Sequence, residues 1–215
     1  MPRPIKLAFF NVIGTLHPLF NPYDYLHRRL DLMEESLEYT FKYQRRPQDV
    51  DRWHEAEAEL WEGQDAERVQ FLLSDLAWLP GATEIAGLLR GAGVELALIS
   101  SGFDLQLQPE AAQLGARYWF ANTLCVEDDR LTGEIEIRYR ESDRGALVEQ
   151  IKDEAGASAD ECIAFGASLF DVPMFEQVGW SAAVMPYDAR VREAATVTLD
   201  DPDLMPLLPV LRSML

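Results

Sequence analysis

The chain is poor in cysteine, lysine, histidine and long apolar runs. Its 215 residues hold two cysteines and three histidines. Cys125 and Cys162 are far apart and sit in unlike contexts, so no disulfide framework is expected. Cys162 lies in the apolar run CIAF and reads as a small core residue. No apolar run approaches the length that spans a bilayer. The opening MPRPIK leads straight into a strand and lacks the layout of a signal peptide. These features together give the expectation of a reduced, cytoplasmic protein. Positive charge is also scarce. There are 19 bases against 37 acids, a net charge of -18, and only Lys6, Lys42 and Lys152 are lysines. Nucleic acid is disfavoured as a partner, because its binding rests on Lys and Arg neutralising phosphates. Anionic membrane surfaces are disfavoured for the same reason. A solvated, self-repelling surface accounts for the acidity.

What is present is an ordinary globular composition, 48% hydrophobic and 26% charged. Ile5 to Phe10 is a short apolar run suited to a strand buried on both faces. Pro22 to Gln44 carries apolar residues at mostly helical spacing. Pro47 suits a helix start, and the acidic stretch Asp49 to Glu62 follows, broken by Gly63. Asp65 opens a further helix through Leu76. From Gly81 the chain alternates. Helices are expected at Thr83–Arg90, Leu105–Leu114 and Arg144–Glu154. Strands are expected at Val94–Ile99, Tyr118–Ala121, Glu161–Phe165, Ser181–Met185 and Thr196–Leu199. Leu124–Glu127 and Gly133–Tyr139 read as a hairpin across Asp128-Asp129-Arg130.

The pattern predicts an α/β fold with a doubly wound, mainly parallel sheet. It also predicts an inserted helical cap and a β-hairpin. The division expected is a core of residues 1–18 and 80–215 and an insertion of 19–79. In such sheets ligands bind beyond the carboxyl ends of the strands. Asn11 to Thr15, Ser100 to Phe103 and Gly166 to Asp171 are therefore expected to converge.

Those loops resemble the motifs of the haloacid dehalogenase superfamily, in its phosphoserine-phosphatase-like branch. The family pattern D-x-D-G-T stands here as Asn11-Val12-Ile13-Gly14-Thr15. S-G-G-F stands as Ser100-Ser101-Gly102-Phe103. The lysine that begins a helix stands as Arg144 in Arg144-Gly145. G-D-x-x-N-D stands as Gly166-Ala167-Ser168-Leu169-Phe170-Asp171. The resemblance implies an aspartyl-phosphate mechanism with Mg²⁺, and this chain departs from it at four points.

Asn11 offers a neutral amide in place of the nucleophilic acid. Ile13 replaces the general acid/base, a loss worth about 10²–10⁴ in rate. Ala167 supplies no ligand for Mg²⁺, which wants one or two carboxylates. Phe170 replaces an asparagine, and only Asp171 keeps its acid. No catalytic residue, metal or cofactor is expected, and Mg²⁺ enters only if the chain is an active phosphomonoester hydrolase after all.

The expectation is an inactive homologue that acts as a binding or regulatory protein. Its ligand would be a phosphate- or carboxylate-bearing molecule or a protein that docks on the cap. Gly14, Thr15, Ser100, Ser101, Arg144 and Asp171 are the candidate anion-binding residues. Two alternatives stand beside this. Arg144 either holds an anion bidentately or pairs with Asp171, and the Phe170 ring either fills the space or leaves it open. Thr15 reads equally as a helix N-cap. His17 reads as solvated, as does the run Glu55, Glu57, Glu59, Glu62. Trp53, Trp61, Trp78, Tyr39 and Tyr43 read as cap core.

Overall fold

The computed structural model describes residues 4–18, 21–43 and 49–215. Gln44 and Pro47, which figure in the expected helices, lie outside the described residues. The chain forms a seven-stranded sheet in the order β4-β3-β2-β1-β5-β6-β7. Its strands are β1 (Leu7–Asn11), β2 (Glu95–Phe103), β3 (Tyr118–Glu127), β4 (Arg130–Glu136), β5 (Cys162–Gly166), β6 (Trp180–Val184) and β7 (Val197–Leu199). All pairings are parallel except β3 with β4. This is the α/β architecture that the alternating pattern predicts.

The helices are α1 (Pro22–Leu30), α2 (Met33–Tyr43), α3 (Val50–Glu59), α4 (Ala66–Ser74), α5 (Ala82–Gly91), α6 (Asp104–Leu114), α7 (Arg144–Ala155), α8 (Val172–Phe175), α9 (Ala189–Ala194) and α10 (Leu207–Met214). Strand β1 sits mid-sheet and is buried along its whole length. Ala8 and Phe10 face one apolar core with α5, α6 and α10. Leu7 and Phe9 face the other with α7. That two-sided burial is why the run is continuously apolar rather than alternating.

Helices α1, α3 and α4 share a third core. Trp61, Leu26, Val69 and Leu73 pack there with Phe103, Leu124 and Leu131. The helical layer therefore rests on the β3–β4 ribbon and on the end of β2. Pro22 to Tyr43 is two helices rather than one. Asp31 adopts φ 61 and closes α1, a conformation that Asp tolerates better than most residues. Leu37 and Phe41 stay exposed on α2.

Strand β2 runs past Ile99 through Ser100-Ser101-Gly102 to Phe103, with a register shift in that stretch. The expected strand Tyr118–Ala121 and the first hairpin strand are one continuous strand, β3. Its first half pairs with β2 and its second half with β4. Asp128 and Asp129 take φ 47 and φ 62 at the tip, the paired positive values that a two-residue hairpin turn needs.

Candidate functional site

Three chain segments meet at the carboxyl ends of β1, β2 and β5. Asn11 is the last residue of β1 and is 4% exposed. Its Nδ2 donates to the Ile13 carbonyl at 2.7 Å, and lies 3.3 Å from Thr15 Oγ1 and 3.4 Å from Asp171 Oδ2. The amide thus ties its own turn to the turn after β5. Gly14 makes that turn possible with φ 81, a value that costs glycine little.

Asp171 carries the densest network. Its Oδ2 accepts from Ala167 N and Ser168 N, both at 2.8 Å, and from Ser168 Oγ at 3.0 Å. Its Oδ1 pairs with Arg144 Nη1. Arg144 Nη2 donates to Tyr139 Oη at 2.9 Å. Both charged side chains are withdrawn from water, at 1% and 0% exposure. Gly166 lies directly beneath, where a Cβ would come 2.5 Å from Asp171 Cβ. The sequence alternative in which Arg144 pairs with Asp171 is the arrangement observed.

Of the six candidate anion-binding residues, Gly14, Ser101 and Arg144 line an open cleft of about 410 Å³. Thr15 and Ser100 are buried behind it. The Ser100 hydroxyl is engaged by Gly102 N at 3.0 Å. Thr15 caps no helix, since Asn21 caps α1 through Tyr23 N and Asp24 N. Phe170 does not fill the cleft. Its ring stands at the rim, with the residue 47% exposed.

A second chamber of about 550 Å³ continues from the first toward α3. Ser101, Glu141 and Phe170 line both spaces. His54, Asn122, Ile137 and Tyr139 line the second alone. Sequence reasoning missed Glu141. It lies in the short 3₁₀ turn Glu141–Asp143 that leads into α7, one turn before Arg144, and only the fold carries it to the cleft. Burial pushes the Glu141 carboxyl above the usual carboxylate range. Arg144 and the Ser101 hydroxyl only partly offset that. Burial also lowers His54 to about 4, with Asp51 and Glu57 opposing it. Its Nδ1 is 2.6 Å from Tyr23 Oη.

Two expectations for polar residues near the site are corrected. His17 is not solvated. It is fully buried, 2.9 Å from both the Ala77 carbonyl and Glu110 Oε1, and stacked on Trp78. Trp78 therefore packs beside the core sheet, not within the helical layer. Glu57 does not belong to a solvated face. It is fully buried with Oε2 at 2.7 Å from His27 Nε2. Trp61 Nε1 donates to His27 Nδ1 at 3.2 Å.

The donor set does not suit Mg²⁺. Asp171 is the single carboxylate among the four matched loop positions, and both its oxygens are engaged. Ala167 offers only backbone, and a guanidinium already occupies the space beside Asp171. Mg²⁺ prefers a near-octahedral shell with carboxylates and several waters.

Comparison with known proteins bears on the family and the fold. The family model described as haloacid dehalogenase-like hydrolase matches residues 9–176. The phosphoserine phosphatase of Methanocaldococcus jannaschii is 29% identical over 147 residues, which cover 68% of this chain and 69% of that one. A probable phosphatase of Mycobacterium tuberculosis is 25% identical over 214 residues, covering 91% and 74%. A phosphoserine phosphatase structure, solved as a phospho-aspartyl intermediate analogue, superposes with TM-score 0.80 at 25% identity. That match covers 97% of this chain and 99% of the other. The matched segment holds Asn11 to Thr15, Ser100 to Phe103, Arg144 and Gly166 to Asp171, and the chain belongs to the haloacid dehalogenase-like hydrolase family.

Proposed function

We propose that this chain is a ligand-binding member of its family that does not cleave phosphomonoesters through an aspartyl-phosphate. The observation that carries the reading is the bonding of Asn11. Its amide is spent as a donor to Ile13, Thr15 and Asp171. A carboxamide is a poor nucleophile and has no ionised oxygen to attack phosphorus. Ile13 and Ala167 supply neither a proton nor a metal ligand, and Arg144 is held by Asp171. The cleft nonetheless remains open, with an apolar rim and a few polar groups, the usual make-up of a small-molecule site.

The relatives' names favour a second reading, a working phosphomonoester hydrolase with phosphoserine as the first substrate to try. Phosphate release from phosphoserine and small phosphoesters, with and without Mg²⁺, separates the two. The binding reading expects no turnover. Mg²⁺-dependent turnover that Ser100→Ala abolishes would establish the second.

A further inference from the structure

The charges on the cleft walls do not describe a phosphate receptor. Each basic side chain on the walls has an acidic partner. Arg144 pairs with Asp171. Arg140 donates to Asp51 Oδ2 from Nε and Nη2, at 3.0 and 2.6 Å. Asp188, at the outer edge, pairs with Arg190. His54 is neutral at ordinary pH. Among the described residues, Glu141 is the wall carboxylate without a salt bridge of its own, and Arg144 and the Ser101 hydroxyl favour its ionised form. A phosphate dianion would meet a carboxylate and no free cation. A cationic group would meet a half-buried carboxylate at the junction of two chambers, where weak solvation strengthens an ion pair.

We propose that the chamber between Glu141, Asn122 and Phe170 binds a small organic ammonium ion, its charge seated against Glu141 and its apolar body against Ile137, Tyr139 and Phe170. This inference rests on the reading of the chain as a binding protein and names its ligand class. The shape supports it. Val50, Ile137 and Phe170 give the chamber apolar lining, and Ser101, Asn122 and Glu141 give it polar groups. An amphiphilic ligand fits that division, with apolar area buried and one polar end fixed.

The groups that face Glu141 come from several elements. They are Ser101 on β2, Arg144 on α7, Asp171 in the turn after β5, Tyr139 before the 3₁₀ turn and Tyr23 on α1. His54 and the Arg140–Asp51 pair complete the chamber. Binding of an ammonium ion requires the ionised carboxylate, so affinity rises with pH through the raised Glu141 titration and then levels.

Calorimetric titration of the full chain with benzylammonium tests the proposal, beside benzyl alcohol and phenyl phosphate as neutral and anionic counterparts. Benzylammonium is expected to bind roughly tenfold more tightly than either. Glu141→Gln is expected to remove that advantage, and Glu141→Asp to retain part of it. Glu141→Gln should melt no lower than the natural chain, which separates lost binding from lost folding. Tighter binding of phenyl phosphate, equal binding by the Glu141→Gln chain, or no saturable benzylammonium binding would overturn the proposal. Phosphate release is measured on the same samples. Release would defeat the underlying reading whatever the ammonium result, whereas silence with no ammonium binding would defeat this inference alone.

Discussion

Arg144 and Asp171 form an ion pair in which neither side chain reaches solvent. The pair is unequal in its remaining bonds. Asp171 also accepts from Ala167 N, Ser168 N and Ser168 Oγ. Arg144 has Tyr139 as its other hydrogen-bond partner, and its Nε is buried without an acceptor. Removing Asp171 strands a buried guanidinium, whereas removing Arg144 leaves a carboxylate that backbone amides still satisfy. Asp171→Ala should therefore cost about 3–5 kcal/mol, and Arg144→Met clearly less. Urea unfolding of both variants checks the order.

Asn11→Asp, the single change that looks like a repair, should fail as one. The new carboxylate would lose the donation to Ile13 and lie beside Asp171 Oδ2. Repulsion and burial raise its folded-state pKa above the unfolded value, so the folded state holds its proton more strongly. Stability then falls as pH rises through that interval. The variant should be weaker than the natural chain by about 1–3 kcal/mol at pH 7, with the gap closing toward pH 4. Paired melts at the two pH values measure it. No phosphatase turnover should appear, because Ile13 and Ala167 are unchanged.

His54 supplies an acid-sensitive element in the helical layer. Its folded pKa, lowered to about 4 by burial, lies below the ordinary value near 6.5. The unfolded chain therefore binds the proton more readily, and stability is lost as pH falls from about 6.5 to about 4. The full effect is of order 3 kcal/mol. His54→Gln should flatten the stability profile across that window, as read by denaturant titrations at half-unit steps.

Gly166 is needed for contact rather than for backbone freedom. A Cβ there would meet Asp171 Cβ at 2.5 Å and Cγ at 2.6 Å. Gly166→Ala must push Asp171 away from Arg144. A loss of about 3 kcal/mol is expected, at the upper end of core overpacking, with the midpoint of thermal unfolding as the readout.

Local pattern revealed most of the sheet. Ile5–Phe10, Glu161–Phe165 and the three loops that follow β1, β2 and β5 could be placed from apolar runs and glycine turns alone. What sequence missed depends on contacts made far along the chain. The end of α1 at Asp31 rests on a positive φ that Asp tolerates better than most residues, and no glycine or proline marks it in the sequence. His17 and Glu57 looked solvated because their partners, Glu110 and His27, lie 93 and 30 positions away. Arg144 could be matched to a motif, but whether it faced a ligand or Asp171 was decided by the turn after β5. Glu141 belongs to no motif, and it reaches the cleft only because α7 starts where it does.

Single-turnover kinetics test the central claim most directly. The natural chain, in excess over labelled phosphoserine and with Mg²⁺ present, is quenched at intervals and assayed for free phosphate and for label on the protein. The account predicts neither above the blank, because Asn11 has no oxygen anion to phosphorylate. Phosphate release, or label that maps to Asn11 or its neighbours, would contradict it and make the chain a hydrolase with another route to the same chemistry.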